Sequence, residues 1–84
     1  MITLDSIEQA YCFFHQKWNI YSRSSLDWQR DDIEYAISQY AESMNKALYE
    51  EIAAGRDGFL HDHATFAHDL QEAVEQLGKK MPRR

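Results

Sequence analysis

The sequence predicts an all-α fold, and three observations support that prediction. In three segments the apolar residues recur at spacings of three and four, which is the period of an α-helix rather than a strand. Three glycines and one proline in 84 residues are too few for a loop-rich chain. A hydrophobic fraction of 44% is too high for intrinsic disorder. We therefore expect a three-helix antiparallel arrangement with a long central helix, over about residues 4–20, 26–54 and 62–77.

The first predicted helix begins near Thr3, Asp5 or Ser6, each of which can cap the free amides of a first turn. The small hydroxyl residues Ser22, Ser24 and Ser25 compete for backbone hydrogen bonds and are expected to end it. The apolar face of this helix comprises Ile7, Tyr11, Phe14, Trp18 and Tyr21.

The second predicted helix is long, because no glycine or proline interrupts it before Gly55, which suits a C-terminal cap. Its 29 residues would span about 43 Å, whereas a compact domain of this size is about 30 Å across. The helix must therefore bend near residues 43–45 or protrude. Its main apolar stripe comprises Leu26, Ile33, Ile37, Tyr40, Ala41, Met44, Leu48 and Ile52.

The third predicted helix starts near Asp62 and ends at Gly78, with Leu60 packed under its first turn. Residues 79–84 contain four cations and the only proline, so we expect a flexible basic tail. The chain is thus divided into a single helical domain at 1–78 and a tail at 79–84. The inward face of the third helix comprises Phe66, Ala67, Leu70, Ala73, Val74 and Leu77.

The charge distribution limits the possible partners. The chain has nine Lys and Arg against fourteen Asp and Glu; four of the cations follow residue 78 and all the acids precede it. Such an acidic body repels nucleic acid and anionic membranes, so neither is an expected partner. Acidic residues near the start and the lack of any run of eighteen apolar residues argue against a signal peptide or a membrane span. We expect a cytoplasmic protein.

Two groups of reactive side chains were considered as sites. His61, His63 and His68 stand two and five residues apart, whereas chelation along a helix needs a spacing of three or four. Cys12 and His15 have a suitable spacing of three, but no oxyanion-binding group is recognisable in the sequence. We therefore expect no metal, no cofactor and no catalytic residue. A small metal-dependent or thiol-dependent enzyme using one of these two groups is the alternative.

A line of aromatic residues predicts an interaction surface on the second helix. With Ile37 as the inward direction, Trp28 lies at about 180°, Tyr35 at about 160° and Tyr49 at about 120°. On the first helix, Phe13 is likewise off its stripe. Either the neighbouring helices cover this second face within one chain, or it binds a second copy of the chain or another protein.

The function predicted from these features is a small cytosolic, non-enzymatic protein-interaction module that self-associates as a homodimer through its long middle helix. The interface residues are Trp28, Tyr35, Tyr49 and Phe13. A nucleic-acid accessory factor that acts through the basic tail is a further alternative. The small acidic helical format is similar to that of bacterial immunity proteins, antitoxins and secretion chaperones, a resemblance of format that implies protein partners and identifies no residue.

Overall fold

Four α-helices and one short 3-10 helix form the protein in the computed structural model, which describes residues 2–81. The described residues contain no strand, so the all-α prediction is confirmed. The helices are α1 (Leu4–Arg23), α2 (Asp27–Ser43), α3 (Lys46–Ala53) and α4 (Phe66–Lys80), and the 3-10 helix (His63–Thr65) leads directly into α4.

The prediction of one long central helix over residues 26–54 is wrong, because the helix is interrupted between α2 and α3. Met44 is extended, with φ −72° and ψ 174°. Asn45 then caps α3, and its side-chain oxygen accepts a hydrogen bond from the Leu48 amide at 3.1 Å. Asparagine is among the best residues for satisfying the free amides of a first turn. The break falls where a bend had been expected, and four helices replace the predicted three-helix arrangement.

Two residues predicted to cap helices do act as N-terminal caps, although one of them caps a different helix. Thr3 caps α1, and its hydroxyl accepts from the Ser6 amide at 3.1 Å. Asp62, predicted to open the third helix, instead caps the 3-10 helix by accepting from the Ala64 amide at 3.0 Å. The long helix that follows therefore starts at Phe66, four residues later than predicted.

The C-terminal boundary also differs from the prediction. Helix α4 continues past Gly78 to Lys80, so the first two residues of the predicted tail are helical. Lys80 pairs with Glu51 of α3. Met81 follows as the C-terminal cap of α4. Residues 82–84 of the predicted tail lie outside the described residues, and the flexibility of the tail stays a prediction.

Most of the predicted apolar faces meet in one core, and α1 packs most extensively against α4. Two predicted core residues, Leu26 and Ala67, are exposed instead. Leu26 precedes the first turn of α2, where no helix packs over it. Phe59 was not predicted to be buried, yet it lies in the core beside Leu60. The largest fully buried side chains are Phe14, Phe59, Phe66, Ile37, Leu48, Ile52, Leu60, Leu70 and Leu77.

One buried carboxylate holds the loop between α3 and α4. Asp69 is only 3% exposed. Its Oδ2 accepts from the Leu60 amide at 3.2 Å and from the Thr65 hydroxyl at 3.1 Å. Its Oδ1 lies 3.4 Å from an Arg56 guanidinium nitrogen. These contacts hold Leu60 in a left-handed conformation, with φ 64°, that a branched residue rarely adopts.

The described part of the chain measures 35 × 30 × 18 Å along its principal axes. None of its helices combines the length and the apolar character needed to cross a membrane.

Candidate functional site: two faces of helix α2

Two of the predicted interface residues are strongly exposed on α2. Trp28 is 63% exposed and Tyr35 is 69% exposed. They stand seven residues apart, so they lie on the same side of the helix, about 10 Å apart along its axis. The exposed carboxylates Asp31 and Asp32 lie between them in sequence. We call Trp28 and Tyr35 the outer aromatic pair.

The other two predicted interface residues pack within the chain. The Phe13 ring stacks on the Tyr40 ring at 4.3 Å with an interplanar angle of 11°. The Tyr49 hydroxyl donates to the Phe59 carbonyl oxygen at 2.7 Å. Burial, and then the nearby charge of Asp69, raise the pKa of Tyr49. Because Tyr49 lies on α3 and not on α2, it is no longer aligned with Trp28 and Tyr35 as one continuous helix would have placed it.

A charged cleft lies beside the outer aromatic pair. Glu34 of α2 is its central side chain: Oε1 lies 2.7 Å from Nδ1 of His63, and Oε2 accepts from the Tyr21 hydroxyl at 3.0 Å. The cleft therefore joins α1, α2 and the 3-10 helix. It encloses about 500 Å³ and is lined by Tyr21, Asp27, Arg30, Asp31, Glu34, His63, Ala64 and Ala67.

The electrostatics of this cleft centre on Glu34. Its hydrogen bond to His63, and then its charge, raise the pKa of that imidazole. Burial raises the pKa of Tyr21, and the hydrogen bond to Glu34 adds to the effect. The Arg30 guanidinium lies over the Tyr21 ring, 4.4 Å from its centroid. With three carboxylates and one guanidinium in the lining, the cleft is acidic.

Three of the cleft residues have the right atoms for a metal ion. Asp31, Glu34 and His63 each offer one ligand atom, and these atoms lie within 4.8 Å of one another. Sequence reasoning missed this group because it looked for ligands along a single helix. The group instead combines two residues three apart on α2 with a histidine 29 positions further along the chain, and no local spacing reveals that contact.

The other histidines do not join this group. His61 Nδ1 lies 2.7 Å from the Ser38 hydroxyl. His68 Nδ1 lies 3.6 Å from the carboxylate of Glu72, four residues later on the same helix. The predicted cluster of His61, His63 and His68 thus has three separate sets of neighbours.

The predicted thiol and imidazole pair has no catalytic geometry in the described residues. Cys12 is exposed. The His15 ring stacks on Tyr11 at 5.3 Å with an interplanar angle of 11°. No hydrogen bond joins Cys12 to His15 within the part of the chain that is described.

Comparison with known proteins adds no family to this description. A scan against protein-family models, a search of curated proteins and a search of solved structures each found no match to this chain. The candidate site therefore rests on the geometry of α2, with its outer aromatic pair and, beside that pair, the acidic cleft.

Proposed function

We propose that the protein is a small cytoplasmic binding module, not an enzyme, and that it pairs with a second copy of itself through α2. The observation that carries this proposal is the outer aromatic pair, two large side chains exposed on one side of one helix. Aromatic side chains that become buried on association supply much of the binding energy of protein interfaces.

The spacing of the pair favours a symmetric partner. Two copies of α2 related by a twofold axis each present Trp28 and Tyr35 at the same separation, so each pair covers the other. Leu26, also exposed, stands two residues before Trp28 and adds apolar surface at the same end of α2. Such a contact removes from water the largest exposed aromatic side chains of the described chain.

The negative charge on α2 opposes self-association, so the salt dependence of binding distinguishes a homodimer from a complex with a basic partner. Two acidic helices repel each other, and added salt screens that repulsion. A dimer should therefore tighten as salt increases, whereas a complex with a basic partner protein should weaken. Apart from Arg30, the charged residues of α2 are Asp27, Asp31, Asp32, Glu34 and Glu42.

The test compares the mass of the wild type with that of a variant lacking both aromatics. Trp28→Gln with Tyr35→Gln should yield a single-chain mass by light scattering, whereas the wild type at tens of micromolar should have about twice that mass. Because both side chains are exposed, the double variant should keep the wild-type helical signal in circular dichroism. Its thermal midpoint should match that of the wild type at protein concentrations where the wild type is a single chain, since dimerisation itself stabilises the folded state.

A matched control separates the aromatic pair from general surface hydrophobicity. Leu4 is exposed to 49% on α1, away from α2 in sequence. Leu4→Gln removes exposed apolar surface outside α2 and should leave the dimer mass unchanged. A wild type that stays at single-chain mass, or a Leu4→Gln variant that dissociates as fully as the double variant, would contradict the proposal.

A further inference from the structure

We propose that Asp31, Glu34 and His63 form a binding site for one divalent transition-metal ion, with Zn²⁺ as the best fit. The site shares no residue with the outer aromatic pair but lies next to it, because Asp31 stands three residues after Trp28 and four before Tyr35 on α2. The three ligand atoms already lie within 4.8 Å of one another. Ligand atoms around one zinc ion, each at about 2.0–2.2 Å from the metal, are separated by roughly 3–3.5 Å. Closing the site therefore requires only a small side-chain movement.

One contact must change for the ion to enter, because the hydrogen bond of 2.7 Å between His63 Nδ1 and Glu34 Oε1 has to give way to a bond from each of these atoms to the metal. Asp31 and His63 are both exposed, and they reach the cleft from different elements, α2 and the 3-10 helix. Glu34 is half-buried and already oriented, because its Oε2 accepts from the Tyr21 hydroxyl at 3.0 Å. A hydrogen bond of this kind fixes the direction of a ligating carboxylate and strengthens metal binding.

The donor set selects the class of ion. One imidazole nitrogen with two carboxylate oxygens suits zinc and similar first-row ions, whereas magnesium and calcium prefer oxygen donors alone. The three protein ligands leave at least one coordination position to water. The cleft's carboxylates also outnumber Arg30, so its net charge attracts a cation even with the guanidinium nearby.

Metal binding at this position would connect α2 to the loop that precedes α4. A ligand that binds only the folded state stabilises it, so zinc should raise the thermal midpoint. This stabilisation gives a readout that does not depend on any catalytic activity.

The experiment uses untagged protein stripped with EDTA and titrated calorimetrically with zinc, manganese or magnesium chloride. We expect one zinc ion per chain, with weaker manganese binding and no measurable magnesium binding. His63→Ala and Glu34→Gln should each weaken zinc binding by more than about tenfold, since loss of groups that merely orient a ligand costs 10- to 100-fold. Zinc should also raise the thermal midpoint of the wild type and not that of His63→Ala.

The controls use the two histidines outside the site. His61→Ala and His68→Ala remove exposed imidazoles of the same segment and should retain wild-type zinc affinity. The Trp28→Gln and Tyr35→Gln double variant should also retain it, which keeps this result separate from the test of self-association. An absence of zinc binding, or an equal loss in the His61 or His68 variants, would overturn the site. Because His63 is exposed, its alanine variant is expected to fold.

Discussion

The four predicted interface residues divide into an exposed half and a packed half, although all four were predicted to lie off the main apolar stripe of their helix. Trp28 and Tyr35 are exposed on α2, while Tyr49 packs against the loop before α4 and Phe13 against Tyr40. An aromatic residue opposite the main stripe of a helix is therefore not by itself an interface residue. What decides its role is whether another segment of the same chain returns to cover it.

The covering segment in the packed half is the loop between α3 and α4. Phe59 enters the core from this loop, and its carbonyl oxygen accepts the Tyr49 hydrogen bond. The buried carboxylate of Asp69 holds the next residue, Leu60, through its amide. In the exposed half, α2 carries Trp28 and Tyr35 with no such loop over them in the described residues. The account thus predicts that substitutions in the packed half change stability and those in the exposed half change association.

The largest expected effect comes from removing the carboxylate that holds the packed half together. Asp69→Ala leaves the buried Leu60 amide without its acceptor and breaks the contact with Arg56. We expect a loss of about 2 kcal/mol, discounted because Arg56 is partly exposed, and a fall in the thermal midpoint of roughly 8–16 °C. Thermal melts should show almost no change for Asp57→Ala, an exposed acid in the same loop. Equal melts for the two variants would mean that Asp69 does not hold the loop.

A smaller change in stability is expected when the hydroxyl of Tyr49, but not that of Tyr35, is removed. Tyr49→Phe removes the hydroxyl that donates to the Phe59 carbonyl, and a hydrogen bond of this kind contributes about 1 kcal/mol. Its thermal midpoint should fall by roughly 4–8 °C. Tyr35→Phe removes a hydroxyl of the exposed pair and should leave the midpoint unchanged. If the Tyr35 variant is the less stable of the two, the division between packed and exposed halves is wrong.

The smallest expected effect is a gain in stability from a substitution at the start of the same loop. Ala54 is exposed and left-handed, with φ 53°, at the C-terminal cap of α3. Glycine adopts this conformation without steric cost, so Ala54→Gly should stabilise the protein by about 0.5 kcal/mol. Ala47→Gly, at an exposed helical position of α3, should destabilise it. Chemical denaturation of both variants tests this opposite sign, and a destabilised Ala54→Gly would contradict the cap geometry.

The sequence predicted the helical class and most of the core because these depend on local periodicity. Phe14, Ile37 and Leu70 lie on the faces that their spacing indicated, and all are buried. The break at Met44 was harder to predict, because it depends on Asn45 capping a new helix rather than on any glycine or proline. The sequence signalled it only through the excessive length of a continuous helix.

The candidate sites differ in the same way. The angle of Trp28 and Tyr35 on α2 is a local property and placed them opposite the main stripe, but the sequence left open whether another helix covers them. The group formed by Asp31, Glu34 and His63 depends on where the loop places His63 against α2, and the sequence carries no spacing that reports this. The position of Phe59 under Tyr49 was missed for the same reason, since both contacts join residues through tertiary packing rather than helical period.

The most direct test of the central claim is the concentration dependence of the wild-type mass. Sedimentation equilibrium at protein concentrations up to tens of micromolar, at low and at high salt, measures whether a second chain binds. The account predicts a mass that rises from one chain toward two as concentration increases, with a tighter dimer at high salt. A single-chain mass at every concentration and both salt levels would contradict self-association through α2.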